Sequence, residues 1–76
     1  MSAVTLYRID NERHMHRFYR LDIQPDLFGG FTLVREFGRI DQPGQLRLTA
    51  FDTEDEAAAA LTRLQRVKER RAYCAT

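Results

Sequence analysis

The sequence has little of several features that mark particular classes of protein. Its single cysteine, Cys74, can form no internal disulfide and cannot by itself supply a zinc site. No apolar run approaches the roughly 20 residues that cross a bilayer as a helix, and no basic stretch followed by an apolar one opens the chain. We therefore expect no membrane association and a cytoplasmic location.

Motifs that carry enzyme chemistry are also missing: there is no nucleophile elbow, phosphate loop or dinucleotide-binding glycine pattern. His14 and His16, as alternate residues of a strand, would point to one side, but no third metal ligand is evident. Glu54, Asp55 and Glu56 fit the first turn of a helix better than a catalytic cluster. We predict a protein that is not an enzyme, with no catalytic residues, no metal, no cofactor and no small-molecule substrate.

The charge balance is close to neutral, but the choice of basic residue is uneven. The net charge is +1 over 76 residues, so a nucleic-acid surface would have to come from the distribution of charge. All but one of the 12 basic residues are arginine, and the exception is Lys68. Arginine pairs with phosphate through two parallel hydrogen bonds. The same bias would also follow from a GC-rich genome.

The first two thirds of the chain has the residue patterns of strands and turns. Residues alternate between apolar and polar from about His14 to Gln24, and Asp41–Gly44 has the composition of a type II turn. Gly38 would weaken a strand unless a bulge or a close backbone approach requires it. The predicted strands are 3–10, 14–24, 31–40 and 45–51.

The last third changes to helical spacing. Thr53 and Glu56 form a capping box, apolar residues recur from Ala57 to Val67, and basic residues follow, so we predict a helix from about Glu54 to Arg71. The predicted fold class is α+β, a four- to five-stranded antiparallel sheet covered on one face by a single C-terminal helix. Its other face is left to solvent or to a ligand.

One predicted strand carries a stripe that could bind a ligand. Phe31, Leu33, Arg35, Phe37 and Arg39 share a face, so an aromatic ring lies between two arginines. This suits a sugar or base platform beside phosphate contacts on an open sheet face. The alternative is that the apolar members are core residues and the arginines lie along the edge. Neighbouring strands could extend the stripe with Arg47 and with Arg17 or Arg20.

These segments, taken in order, resemble a known family. Phe18–Leu21, then Phe37–Ile40, then Pro43–Gln45, followed by a strand and a capped helix, resemble the WGR domain, named for Trp-Gly-Arg. The resemblance extends from about Leu6 to Tyr73. It implies a single WGR-like domain over residues 1–76, of the small stand-alone bacterial kind, related to the WGR domain of poly(ADP-ribose) polymerases.

The resemblance also implies roles for particular residues. In the polymerases, the tryptophan packs on the terminal sugar at a DNA break, and the arginine and nearby basic residues hold phosphate or a neighbouring domain. Carried over, Phe37 takes the tryptophan position and is followed by Gly38 and Arg39. Arg17 falls where the family often has a DNA-contacting basic residue, and Tyr73 where an aromatic residue closes the domain. Phenylalanine offers a smaller stacking face than tryptophan.

We therefore predict a non-catalytic module that binds DNA ends or backbone weakly. The candidate nucleic-acid-binding residues are Arg17, Arg35, Phe37, Gly38, Arg39 and Arg47. The alternative is a protein–protein or inter-domain interaction module, because a guanidinium group can hold a partner's carboxylate as well as a phosphate.

Overall fold

The computed structural model describes residues 3–74 and has the predicted α+β architecture. Four antiparallel strands lie in the order β1-β2-β3-β4, and a single helix follows them and packs on the sheet. The elements are β1 (Val4–Asp10), β2 (Met15–Pro25), β3 (Phe31–Arg39), β4 (Gln45–Phe51) and α1 (Glu54–Arg70). Each predicted strand and the predicted helix is present, with its ends within one residue of expectation.

The core lies between α1 and one face of the sheet. The buried side chains come from β1, β2, β3 and α1 and from the segment that follows the helix: Leu6, Tyr19, Leu21, Ile23, Leu33, Ala57, Leu61 and Tyr73. In β2 the buried positions alternate with more exposed ones, as a strand with one covered face requires. Burial of one large apolar side chain stabilises such a core by about 1.5–3 kcal/mol.

The helix begins and ends with identifiable caps. The Thr53 Oγ1 accepts a hydrogen bond from the Glu56 backbone N–H at 3.2 Å, which is the first half of the predicted capping box. The Glu56 carboxylate accepts from the Thr53 hydroxyl at 3.0 Å, whereas a full capping box has it accept from the Thr53 backbone N–H. After Arg70, Ala72 adopts a left-handed φ of 69° and turns the chain back. Tyr73 therefore packs into the core, and Cys74 forms two backbone hydrogen bonds of 2.8 Å with Tyr7 on β1.

The β3–β4 connection differs from the predicted type II turn. The turn closes earlier, with the Gln42 N–H donating to the Arg39 carbonyl at 3.2 Å, and Gly44 lacks the positive φ that a type II turn needs. Close packing between the two strands, rather than turn conformation, requires glycine at positions 38 and 44. A Cβ on Gly44 would lie 2.7 Å from the Phe37 carbonyl oxygen, and one on Gly38 would lie 3.0 Å from the Gly44 Cα. The close approach that Gly38 suggested is therefore present.

Candidate nucleic-acid interface

The Arg-Phe stripe of β3 lies on the face of the sheet that carries the helix. This corrects the expectation of a stripe on an open face. The odd-numbered residues of β3 include Leu33 and Phe31, which pack in or against the core, so the helix covers their side of the strand. The helix covers only part of this face, however. Arg39, at the end of the stripe, stays exposed.

Strand register brings the candidate residues of β2 and β3 together near one end of the sheet. Arg17 is paired with Arg39, and Tyr19 with Phe37, while the last turns of α1 approach from above. A cavity of about 310 Å³ opens there. We call it the basic cavity, and its lining residues are Arg17, Tyr19, Phe37, Gly38, Arg39, Lys68 and Tyr73.

The basic cavity has an aromatic wall. Tyr19 is buried, and its ring stacks on that of half-buried Phe37 with centroids 5.4 Å apart and planes inclined by 17°. Tyr73 meets Tyr19 edge to face at 6.3 Å. Phe37 therefore packs against the core and also lines the cavity.

Lys68 brings a positive charge over this wall. Its Nζ lies 4.5 Å from the centroid of the Tyr19 ring and 5.4 Å from that of Tyr73, within cation–π range. Burial lowers the pKa of Lys68, and the nearby positive charges of Arg71, Arg35 and Arg17 lower it further. The ammonium group thus lies among like charges.

No carboxylate in the described residues neutralises this group of cations. The two ion pairs found between residues 3 and 74 join Arg13 to Asp10 and Arg20 to Asp22, away from the cavity lining. Unpaired guanidinium and ammonium groups beside planar rings favour an anionic ligand that also has a flat or apolar part. A sugar-phosphate backbone has both features.

The remaining predicted residues lie outside the basic cavity. Arg35 lines a separate hollow between β3 and the helix with Arg63 and Leu64, and its buried Nε makes no hydrogen bond within the described residues. Arg47 faces Arg35 across the β3–β4 pair and is exposed. The lining of the basic cavity therefore includes four of the six candidates and does not include Arg35 or Arg47.

Lys68 and Tyr19 were not among the sequence-predicted site residues. Lys68 stands seven residues after Leu61, on the same helical stripe as the core residues, although sequence reasoning assigned it to the helix dipole. A lone lysine that continues an apolar stripe was the available signal. Tyr19 gave none, because an alternating strand pattern does not separate a core aromatic from one that lines a cavity.

The two histidines lie beside the basic cavity without forming a metal site. His14 lies in the β1–β2 turn with a φ of 53°, so the expectation that it shares a strand face with His16 was wrong. No group of three metal-ligating side chains occurs within residues 3–74. With Arg13, Arg17 and Arg39, both histidines line an adjoining cavity of about 340 Å³.

One of the comparisons with known proteins gives a family for this chain. The WGR domain family model matches residues 2–76. A relative from Sinorhizobium fredii (strain NBRC 101917 / NGR234), "Uncharacterized protein y4dW", is 39% identical over 66 residues, which are 87% of this chain and 32% of the relative. The chain thus spans about a third of that relative's length. No solved structure gives a significant match. Within residues 3–74, the helix is too short and polar to cross a bilayer.

Proposed function

Because the chain belongs to the WGR domain family, we propose that it is a non-catalytic module that binds DNA through the basic cavity. WGR domains are associated with nucleic-acid binding in proteins like the poly(ADP-ribose) polymerases. The observation that carries the proposal is the set of Arg17, Arg39 and Lys68 around stacked rings, with no carboxylate among the lining residues.

The cavity favours DNA ends or backbone without sequence preference. Three cations suit phosphate oxygens, which carry no sequence information, and the exposed part of the Phe37 ring suits a sugar. Tyr19 already occupies one face of that ring, so the platform is smaller than an open aromatic would be. Few phosphate contacts and a net charge of +1 make the expected affinity low and sensitive to salt.

The test is a comparison of two arginines of β2 that lie on opposite faces of the sheet. Arg17 lines the basic cavity, whereas Arg20 is three residues further on and pairs with Asp22 at 3.6 Å. Fluorescence anisotropy would be measured with blunt and nicked 5′-phosphorylated duplexes and with an intact circle. We expect Arg17→Ala to weaken binding about tenfold, the effect of losing one hydrogen bond to a charged group.

Arg20→Ala is the matched control, because it makes the same change in net charge on the opposite face. We expect it to leave affinity within the error of the measurement. Equal losses for both variants would show that only overall charge matters, and negligible binding of the wild type to every DNA would remove the proposal.

A second candidate function, a protein-interaction module, rests on a different part of the chain. Leu27 and Phe28 in the β2–β3 loop are 96% and 95% exposed, and the Asp26 carboxylate holds the loop by accepting from the N–H groups of Phe28 and Gly30 at 2.8 Å. Large apolar side chains displayed on an ordered loop are typical of a protein contact. Specific retention of a protein that Leu27→Ser abolishes, without any DNA binding by the chain, would favour this candidate.

A further inference from the structure

The two edge strands of the sheet differ in whether their outer backbone groups are hydrogen-bonded. The outer edge of β1 is covered at Tyr7, which exchanges two backbone hydrogen bonds with Cys74. Strand β4 forms the other edge, and within residues 3–74 its backbone makes no hydrogen bond on the side away from β3. A row of unpaired N–H and C=O groups is a template for another strand.

The side chains of β4 give the edge little protection, since Arg47 is its one charged residue. Residues 45–50 are all exposed, and Leu46 and Leu48 are 58% and 63% exposed on the face opposite the helix. Natural proteins protect open edges with proline, lysine, bulges or covering loops. The sequence of β4, QLRLTAF, contains neither proline nor lysine, and its pairing with β3 continues from Gln45 to Phe51 without a bulge.

We propose that β4 pairs with β4 of a second copy of this chain, antiparallel and about a two-fold axis at Leu48. In that register all seven residues pair: Leu48 meets Leu48 of the second copy, and Leu46 meets Ala50. The apolar side chains of the open face then cover one another. The result is a continuous eight-stranded sheet.

Repulsion between like charges favours the register centred on Leu48 over the one centred on Arg47. A shift that centred the axis on Arg47 would place two arginines directly opposite each other, whereas the Leu48 axis places Arg47 opposite Thr49. Arg47 has no ion-pair partner within the described residues. In the dimer Arg47 lies on the helix-bearing face, three positions along the strand pair from Gly44, which Asp52 of the second copy would face.

The symmetry has a consequence for the basic cavity. A two-fold axis perpendicular to the sheet leaves both helices, and therefore both basic cavities, on the same face of the dimer. One strand pair is a small interface, so we expect a weak dimer that forms at micromolar to millimolar concentration.

The first experiment is sedimentation equilibrium over that concentration range. We expect the wild type to shift from monomer to dimer and Leu48→Lys to stay monomeric, because two like charges would meet on the axis. Ile9→Lys is the matched control, since it places the same charge at a 60% exposed apolar residue of the other edge strand, β1, and should dimerise like the wild type. A monomeric wild type throughout, or dissociation by Ile9→Lys instead of Leu48→Lys, would overturn the proposal.

Cysteine cross-linking tests the register, in a Cys74→Ser background that removes the only native thiol. Directly opposed residues have Cα atoms about 4.5–5.5 Å apart, which a disulfide can span. We expect Leu48→Cys to form a covalent dimer under mild oxidation. Leu46→Cys should not, because the two copies of position 46 would lie four residues apart, about 14 Å along the strand. Efficient cross-linking at 46 but not at 48 would exclude the Leu48 axis.

Discussion

Lys68 occupies a position where the helix pattern leads one to expect an apolar residue. It lies on the core-facing stripe with Leu61 and Leu64, yet its ammonium group lies over the rings of two tyrosines and near three arginines. Such an arrangement costs stability, because burial and like charges both disfavour the ionised ammonium group. An anion in the basic cavity would relieve that cost, which links this residue to binding.

The lowered pKa of Lys68 predicts a pH effect on stability. The folded protein releases the Lys68 proton at a lower pH than the unfolded chain, whose lysine pKa is near 10.5. Over the window between the two values the unfolded state binds more protons, so this residue makes stability rise with pH. We expect the unfolding free energy of the wild type, measured by urea titration, to rise relative to that of Lys68→Met between pH 7 and pH 10. An unchanged difference would contradict this.

Phe37 serves the core and the basic cavity together, so the substitution must separate the two roles. Alanine would remove core contacts as well as the ring, whereas Phe37→Leu keeps most of the apolar volume and removes the stacking surface. We expect Phe37→Leu to lose about 1–2 kcal/mol of DNA affinity, within the range for one stacked group, with a smaller loss of stability. Anisotropy and urea denaturation on the same preparation measure both. Full affinity in this variant would exclude Phe37 as a contact.

At the scale of elements, the end of α1 determines where the cavity closes. Ala72 turns the chain with a positive φ, after which Tyr73 enters the core and Cys74 pairs with Tyr7. Alanine is strained in this conformation, whereas glycine adopts it freely. The last turn thus places Lys68 and Tyr73 over β2 at the cost of one unfavourable residue.

This strain predicts that Ala72→Gly stabilises the fold. Glycine removes the free-energy cost of the left-handed conformation, and that gain is larger than the stability lost because glycine gives the unfolded chain more conformational entropy. We therefore expect the unfolding free energy to rise by about 0.5–1 kcal/mol. The control is Ala58→Gly, an exposed position inside the helix, which should lose about 1 kcal/mol. Thermal denaturation of both variants gives the signs. Equal losses would show that the turn at Ala72 carries no strain.

At the scale of the whole molecule, the cations of the basic cavity and the acidic first turn of α1 lie at opposite ends of the sheet. The basic cavity lies at one end of the β2–β3 pair, and the acidic start of α1 lies near the other, where Phe31 pairs with Phe51. The net charge of +1 therefore gives no indication of this local cluster of cations at one end of the sheet.

A local basic site predicts a shallow but definite salt dependence of DNA binding. If Arg17, Arg39 and Lys68 each meet one phosphate, the slope of log affinity against log salt should be about −2.7, or −0.9 for each contact. Replacing one of the three should bring the slope to about −1.8. Anisotropy at several salt concentrations measures it. A slope near zero would mean that phosphate is not the group recognised.

The sequence alone determined the order and type of the elements, the capped helix and the α+β class, because these depend on hydrogen bonds and burial among near neighbours in the chain. It also gave Phe37, Gly38 and Arg39 as candidates through their motif and Arg17 through its place in the family pattern, and these four line one cavity. Tertiary structure decided which sheet face the helix covers, that Tyr19 and Lys68 line the cavity with these residues, and that Arg35 and Arg47 do not. Those features depend on strand register and on where the helix crosses the sheet, which are set by packing between residues far apart in sequence.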